Sequence, residues 1–131
     1  MTEANDPVIG GISWMDLTVE NASATRDFYR DVVGWTVTDV AMGEYSDYCM
    51  NEPQTGKTVA GICHARGTNA GLPAAWLIYL TVDNLDNSVA KCVELGGEVI
   101  AQIRNYGGQG RYCVIRDPSG AVAALFEPTK N

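Results

Sequence analysis

Residues 14–35, WMDLTVENASATRDFYRDVVGW, contain a strand pattern that passes directly into a helix pattern. The alternation over Ile12–Val19, preceded by two glycines, predicts a β-strand. Apolar side chains then recur four residues apart, at Ala24, Phe28 and Val32. Either Asn21 or Ser23 can cap the N-terminus of this helix, and Gly34 stands where a helix-ending glycine is expected. The segment therefore predicts a strand followed at once by an amphipathic helix.

The same pattern returns 63 to 65 residues later in the chain, which indicates two copies of one unit. Matching residues occur in the same order in both copies. They are VEN and VDN, Gly34 and Gly97, YC and YC, EP and DP, Gly56 and Gly120, and VA and VA. Two copies are too few for a solenoid, so we expect them to pair into one pseudo-symmetric domain.

Each copy is predicted to fold as a strand, a helix and three further strands, which gives an α+β protein of two βαβββ modules. Module one is predicted at about residues 8–64, a linker at 65–75 and module two at 76–128, within a single domain of residues 1–131. The remaining predicted strands are 35–40, 45–51, 57–63, 76–82, 98–103, 111–116 and 121–126, and the second helix is 84–95. The glycine-rich segment 104–110, RNYGGQG, is predicted to be a mobile loop or flap.

The composition is that of an acidic chain of one-domain size, with 131 residues and a formal net charge of −7. Phosphate groups attract Lys and Arg, so neither nucleic acid nor an anionic membrane surface is an expected partner. The N-terminal residues show no export signal and no apolar run is long enough to span a bilayer, which favours the cytoplasm. The four cysteines lack metal-binding spacing and are predicted to be buried thiols rather than disulfides.

Three segments resemble the vicinal oxygen chelate superfamily, the group of glyoxalases, bleomycin-resistance proteins and extradiol dioxygenases. They are residues 14–35, residues 76–97 (WLIYLTVDNLDNSVAKCVELGG) and residues 111–128 (RYCVIRDPSGAVAALFEP). The resemblance implies two βαβββ modules whose sheets curl around a shared cleft, and it implies a homodimer. Members of the superfamily include lyases, dioxygenases, epimerases, thiol transferases and binding proteins, so the resemblance indicates the fold more sharply than the activity.

Strand parity predicts which side chains line the cleft, because alternate residues of a strand point to opposite faces. The all-apolar sets are expected to face the helices: Met15, Leu17 and Val19 in the first copy, and Ile78, Leu80 and Val82 in the second. The opposite sets are mixed in character, which makes Trp14, Asp16, Tyr79 and Thr81 the predicted ligand-binding residues. Asp16 is the candidate hydrogen-bond acceptor or catalytic general base, and the rings would supply stacking area. The alternative is structural, with the rings filling the cleft floor and Asp16 bonding the backbone or an arginine.

Non-coordinating residues occupy the positions at which metal-dependent members of the superfamily carry ligands. The resemblance matches the ligand positions of the first, fourth, fifth and eighth strands to Trp14, Gly61, Leu77 and Ala124. Glycine and alanine have no donor atom, leucine is apolar, and the indole nitrogen of tryptophan only donates hydrogen bonds. No cofactor is therefore expected, and a bound divalent metal is the alternative.

His64 and Glu127 occupy equivalent positions in the repeat, and His64 is the only histidine. Strand parity points both side chains away from the cleft or places them beyond the strand ends. Arg104, Tyr106 and Arg111 flank the GGQG stretch. These three residues either bring cationic and aromatic groups over the cleft or are ordinary solvated side chains.

The sequence favours a glyoxalase-like protein that binds a small organic molecule in a metal-free cleft, for sequestration or for acid–base chemistry. The first alternative is a metal-dependent lyase or dioxygenase that uses Asp16, His64 and Glu127 as a rearranged ligand set. The second alternative is an interaction module that dimerises through its sheets. This last reading predicts that the protein has no cavity of even a few hundred Å³, roughly the lower limit for a ligand site.

Overall fold

The computed structural model describes residues 7–130, which divide into two compact units. Module one comprises Trp14–Trp76, and module two comprises residues 7–13 and 77–130. Each module follows the order strand, helix, strand, strand, strand, and module one also contains a 3-10 turn at Gly67–Asn69 within the predicted linker. The predicted α+β class and the βαβββ module are confirmed.

Module one consists of four strands and one long helix. Its elements are β1 at Ile12–Val19, α1 at Ala22–Val33, β2 at Thr36–Ala41, β3 at Ser46–Asn51 and β4 at Thr58–His64. The strand order is β2-β3-β4-β1. β1 runs parallel to β4, whereas β3 is antiparallel to both of its neighbours, so the helix-linked strand lies beside the last strand of the module.

The ends of α1 show why the helix begins and stops where it does. The Asn21 side chain accepts a hydrogen bond from the Ala24 N–H at 3.3 Å, which satisfies one of the unpaired donors of the first turn. Ser23, the other predicted cap, instead lies 2.9 Å from the Tyr48 hydroxyl. Gly34 ends the helix with a φ of 91°, a left-handed conformation that glycine adopts without a steric penalty.

The core of module one lies between α1 and one face of the sheet. Its fully or almost fully buried members are Ala22, Tyr48, Met50, Ala60 and Ile62. Met15 and Val19 of β1 pack against this cluster, as strand parity predicts. Burial of each large apolar side chain contributes roughly 1.5–3 kcal/mol to stability, so this face of the sheet serves to pack against α1.

Module two repeats the arrangement with four further strands and a second helix. Its elements are β5 at Trp76–Thr81, α2 at Leu85–Glu94, β6 at Glu98–Asn105, β7 at Gly110–Arg116 and β8 at Val122–Pro128. The strand order is β5-β8-β7-β6, with β5 parallel to β8 and the other pairs antiparallel. The Asn84 side chain caps α2 by accepting from the Asn87 N–H at 3.0 Å. Leu85 of this helix packs with Cys113 and Leu125 of the strands in the buried core of the module.

The segment predicted as a long mobile loop is shorter and more ordered than expected. β6 continues through Arg104 to Asn105, and β7 already begins at Gly110. A tight turn joins the two strands, with hydrogen bonds from the Tyr106 N–H to the Gly110 carbonyl and from the Gln109 N–H to the Tyr106 carbonyl. The sequence did not predict this hairpin, because the glycines interrupt the alternation of apolar and polar residues on which strand prediction depends.

The four cysteines are free thiols, as predicted, but only Cys113 is fully buried. Cys49, Cys63 and Cys92 are half-buried, which corrects the expectation that all four lie inside. Within residues 7–130, no helix has the length and apolar character needed to cross a membrane.

Candidate functional site

The face of the module-one sheet that lies opposite α1 carries two of the predicted ligand-binding residues. We call this the distal face of module one. Asp16 of β1 pairs with Gly61 of β4, and Thr18 pairs with Cys63, so these four residues share the face with Trp14. The structure therefore places Trp14 and Asp16 on the face predicted for them.

Gly61 provides the space in which Trp14 and Asp16 lie. A Cβ atom built on Gly61 would be 3.1 Å from Cζ2 of Trp14 and 3.3 Å from Cβ of Asp16. Both distances are shorter than an ordinary carbon–carbon contact of about 3.5–4.0 Å. The position that the resemblance assigns to a metal ligand thus allows an indole ring and a carboxyl group to approach the strand backbone.

Asp16 is a carboxyl group held in a largely water-excluded place, since the residue is only 8% exposed. The pKa of the neighbouring Cys63 thiol is raised well above its usual value. The main cause is burial, and the charges of Asp16 and Asp47 add to it. Cys63 is therefore a protonated thiol and a poor nucleophile. Asp16 is the carboxyl group that shares this face with Trp14 and Gly61.

The distal face of module two carries the other two predicted residues. Tyr79 of β5 pairs with Ala124 of β8, and Thr81 pairs with Phe126. Thr81 is 2% exposed, and its hydroxyl oxygen has no hydrogen-bond partner within residues 7–130. Buried hydroxyl groups are nearly always hydrogen-bonded, so this one lies where a partner from outside the chain would be favourable.

An aromatic cluster covers the distal face of module two around Tyr79. The Tyr106 ring is nearly parallel to that of Tyr79, with a 19° interplanar angle and centroids 6.3 Å apart. Tyr112 lies 5.9 Å from Tyr79 and 5.4 Å from Tyr106, and the Phe126 ring lies 5.9 Å from Tyr106. The Arg104 guanidinium stands 5.7 Å from the centre of the Tyr112 ring. This cluster combines stacking surface with a cation.

Comparison with known proteins identifies the family. The model of the glyoxalase/bleomycin resistance protein/dioxygenase superfamily matches residues 11–125. The chain belongs to this superfamily. The resemblance to the vicinal oxygen chelate group is thereby confirmed.

Two sets of relatives at 30% identity or more are about twice as long as this member of the superfamily. "Putative glyoxylase CFP32" of Mycobacterium tuberculosis is 33% identical over 127 residues, which cover 93% of this chain and 47% of the relative. "Anthracycline biosynthesis protein DnrV" of Streptomyces peucetius is 30% identical over 132 residues, covering 89% and 46%. The chain thus spans about half the length of these relatives.

Solved structures share the fold of this superfamily member at low sequence identity. Methylmalonyl-CoA epimerase from Mycobacterium tuberculosis superposes with a TM-score of 0.58 at 14% identity, covering 95% of this chain and 92% of the epimerase. A variant of homoprotocatechuate 2,3-dioxygenase from B. fuscum gives a TM-score of 0.59 at 21% identity, covering 98% and 35%. These likenesses show the fold alone.

The ligand positions expected for metal-dependent superfamily members do not fit a metal ion in this chain. In module one the positions are the Trp14 ring and Gly61, and in module two they are Leu77 and Ala124, which is fully buried in its strand. None of the four side chains offers a lone pair to a cation. Within residues 7–130 there is also no group of three His, Cys, Asp or Glu side chains placed to hold a metal.

His64 lies on the helix side of its sheet, opposite the distal face. It is the last residue of β4, and its Nδ1 is 3.3 Å from Oδ1 of Asp47, which also accepts from the His64 N–H at 2.8 Å. The ring packs against Tyr45 and Tyr48, with centroids 5.3 and 6.0 Å away. Since Asp16 is on the other face, the rearranged ligand set of Asp16, His64 and Glu127 has no support from the geometry of module one.

Glu127 caps α2 and does not reach the distal face of module two. Its carboxylate accepts from the Leu85 N–H at 2.9 Å and from the Arg111 guanidinium at 3.0 and 3.2 Å. Arg111 first, and the Leu85 N–H next, lower the pKa of the Glu127 carboxyl below its usual value. Arg111 also donates to Asp86 at 3.1 Å. The hypothesis that Arg111 faces the ligand is therefore wrong, because two carboxylates hold it beside the helix.

Tyr112 is the member of the aromatic cluster that sequence reasoning missed. It faces Phe126 across the β7–β8 pair, on the same face as Ala124. Applying the alternation of side chains to β7 as well would have predicted that Tyr112 lies on the distal face. Tyr106 and Arg104 were recognised only as flanking the glycine-rich segment, and the structure brings both into the cluster.

Each module also carries a surface pocket away from its distal face. The pocket of module one has a volume of about 470 Å³ and lies between α1 and residues 74–76, with Phe28, Tyr29 and Trp76 in its walls. The pocket of module two has a volume of about 450 Å³ and lies beside the hairpin turn, near Arg111 and Thr129. Both are open grooves on the surface of a single module, so the interaction module stays an alternative to the ligand-binding protein.

Proposed function

We propose that this protein binds a small organic molecule through the distal faces of its modules, without a metal ion. The ligand-contacting groups would be Trp14 and Asp16 in module one, and Tyr79 and Thr81 in module two. The observation that carries this proposal is the buried Thr81 hydroxyl, which has no hydrogen-bond partner within residues 7–130. An unsatisfied buried hydroxyl costs about 1–3 kcal/mol, and a ligand that supplies its partner recovers that free energy.

The surroundings of Thr81 support an aromatic or partly aromatic ligand. Tyr79, Tyr106 and Tyr112 present rings on the same face. Two relatives are anthracycline biosynthesis proteins, and anthracyclines contain fused planar rings. Stacking on tyrosine is favourable for such rings, because aromatic pairs contribute about 0.5–1.5 kcal/mol beyond the area that they bury.

Thr81→Val tests the proposed hydrogen bond, because valine keeps the shape of threonine and removes its hydroxyl. We expect the free variant to be more stable than the wild type by about 1 kcal/mol, since no unsatisfied hydroxyl remains. We expect aromatic carboxylic acids and phenols that raise the melting temperature of the wild type to bind the variant roughly two- to tenfold more weakly. Thr36→Val, at an exposed position of β2, is the matched control and should change neither quantity. Equal affinity of the wild type and Thr81→Val for every binding compound would refute the role of Thr81.

Replacement of Asp16 distinguishes a catalytic function from sequestration of the ligand. Its carboxyl group is buried on the distal face of module one and would accept a proton or a hydrogen bond from the ligand. Asp16→Asn retains the size and one acceptor oxygen of the side chain. If the protein is a general-base enzyme, this variant keeps ligand binding and loses turnover. If the protein sequesters its ligand, the wild type shows binding without turnover.

The proposed absence of a cofactor is tested by metal analysis. Elemental analysis of protein purified without chelator is expected to find well under one equivalent of divalent metal per chain. One equivalent in the wild type that disappears in Asp16→Ala would overturn the metal-free proposal in favour of a metal-dependent lyase or dioxygenase. His64→Ala is the informative companion, because the rearranged ligand set requires that residue and the structure places it on the helix side.

A homodimer is part of the proposal. The relatives at 30–33% identity are about twice as long as this chain, so a second copy would supply an equivalent mass of protein. Helix α1 exposes 57% of Phe28 and 64% of Val32, a pair of large apolar residues one turn apart. Val32→Glu should convert a dimer into a monomer in analytical ultracentrifugation, whereas Val93→Glu, at a similarly exposed position of α2, should not. Location in the cytoplasm stays a prediction from the sequence.

A further inference from the structure

Tyr106 differs from the other rings of the aromatic cluster in where it is attached. Tyr79, Tyr112 and Phe126 belong to strands β5, β7 and β8, and Phe126 is fully buried while Tyr79 is 5% exposed. Tyr106 follows the last residue of β6 and begins the hairpin turn. Its half-buried ring lies over the three strand-borne rings. The cluster therefore has a fixed floor and one ring supplied by a turn.

We propose that the Tyr106 ring is a displaceable plug, and that a planar aromatic anion takes its place on the floor formed by Tyr79, Tyr112 and Phe126. This inference rests on the proposed small-molecule function and names the chemical class of the ligand. Tyr106 is almost parallel to Tyr79, so a flat ligand in its position would stack in the same way. The buried Thr81 hydroxyl lies in the same face and would bond a polar atom of the ligand.

The turn allows the ring to move without disturbing the sheet. The backbone of Tyr106 is fixed by hydrogen bonds with Gly110 at 2.8 Å and with Gln109 at 2.9 Å. The turn is held in addition by Thr129, whose N–H donates to the Gln109 carbonyl. Because the main chain is fixed, rotation about the side-chain torsions of Tyr106 alone would carry the ring outward. The two residues after it, Gly107 and Gly108, have no side chain that could block this rotation.

Arg104 indicates that the ligand is anionic. Its position in β6 pairs with Tyr112 in β7, which holds the guanidinium at the edge of the floor. The Arg104 Nε donates to the Gln102 carbonyl at 3.4 Å, which orients the group. A guanidinium has five N–H donors in a planar fork that matches a carboxylate or sulfonate. The chain has a net charge of −7, so most of its surface repels anions. A cation at the rim of the aromatic surface would therefore direct an anionic ligand to this place.

The test uses 8-anilinonaphthalene-1-sulfonate, an aromatic anion with a flat naphthalene ring whose fluorescence reports binding, and N-phenyl-1-naphthylamine, its uncharged analogue. Tyr106→Ala removes the plug and should bind the anionic probe about tenfold more tightly than the wild type. Adding Arg104→Gln to Tyr106→Ala should weaken binding of the anion about fivefold and leave the uncharged analogue unchanged. Circular dichroism and the melting temperature establish that each variant is folded.

Matched controls come from module one, where Arg66 stands 4.1 Å from the centre of the Tyr45 ring. Tyr45→Ala and Arg66→Gln make the same chemical changes at a similar pair and should leave the affinity of both probes unchanged. Equal probe affinity in Tyr106→Ala and the wild type would overturn the plug. Equal effects of Arg104→Gln on the charged and uncharged probes would overturn the anionic class.

A second measurement uses the wild-type side chain. In protein labelled with 3-fluorotyrosine, the fluorine resonance that Tyr106→Phe removes should shift on titration with the sulfonate probe, and the resonance that Tyr45→Phe removes should not. An unshifted Tyr106 resonance at saturating probe would also overturn the plug. Failure of the broader function is distinguishable, because it would appear as a lack of melting-temperature response to every compound together with unchanged ligand affinity in Thr81→Val.

Discussion

Replacing Glu127 with glutamine distinguishes a helix cap from a metal ligand. The carboxylate accepts from the Leu85 N–H at 2.9 Å, at the start of α2, and from Arg111 at 3.0 Å. Glutamine keeps an oxygen for the Leu85 N–H and loses the negative charge beside the helix N-terminus. Charge at a helix end contributes about 0.3–1 kcal/mol, and up to about 2 when partly buried, so we expect Glu127→Gln to lose about 1 kcal/mol at pH 7. For a chain of this length that is a melting-temperature decrease of roughly 3–4 °C.

The expected pH dependence follows from the pKa of Glu127. Arg111 and the Leu85 N–H lower that pKa in the folded protein below the usual 4.5. A group whose folded pKa is depressed contributes stability that is fully present above the unfolded pKa and is lost as the pH falls through the folded pKa. The difference in unfolding free energy between wild type and Glu127→Gln should therefore be constant from pH 7 to about pH 5 and disappear as the carboxylate is protonated below pH 4.

Urea unfolding at a series of pH values measures this difference directly. Glu94→Gln is the control, because Glu94 pairs with Lys91 at 3.5 Å on the exposed surface of the same helix. The control should change stability by less than about 0.5 kcal/mol at every pH. The cap assignment is refuted if the loss persists unchanged at pH 3. A loss that appears only when metal is present, and that chelator reproduces in the wild type, would instead assign Glu127 to a metal site.

Three further predictions concern the scaffold. Gly110→Ala should destabilise the protein by about 3 kcal/mol or more in urea unfolding, since its φ is 152° and an added Cβ would lie within 2.1 Å of the Glu127 carbonyl oxygen. Asn21→Ala should cost about 1 kcal/mol by removing the α1 cap, whereas Asn87→Ala on the exposed surface of α2 should cost less than half of that. Burial raises the pKa of Cys113 to about 11, so native protein at pH 8 should resist alkylation by iodoacetamide at this residue, as followed by mass spectrometry, and urea should abolish the protection.

The element order was predictable because local signals and the repeat agree. Gly34 ends α1 in the left-handed conformation that its place after the helix pattern predicts. The choice between Asn21 and Ser23 as the cap was not predictable, because it depends on a contact with Tyr48, which is 25 residues from Ser23. The hairpin after β6 was missed for a related reason, since its order comes from hydrogen bonds to Thr129. Local patterns cannot report partners that are distant in sequence.

The candidate site was predictable where strand parity holds. Trp14 and Asp16 lie in a regular part of β1, and the structure places them on the expected face. Parity fails in β6, where the pairing register with β7 shifts twice before Arg104. Such irregularities change which face a residue occupies, so the contact between Arg104 and Tyr112 could not be read from residue numbers.

The two copies of the repeat differ most at the distal positions of their first strands. The helix-facing positions of β1 and β5 are apolar in both modules, as Met15 and Ile78, Leu17 and Leu80, and Val19 and Val82. The distal positions are Trp14 and Leu77, Asp16 and Tyr79, and Thr18 and Thr81, of which only the last pair matches. A helix-facing side chain must fill a fixed volume, so its character is set by the fold. At the distal positions, Asp16 and Tyr79 are buried as well, 8% and 5% exposed, yet one module carries a carboxylate where the other carries the centre of an aromatic cluster. Because both modules have the same fold, the fold does not require this difference between equivalent buried positions.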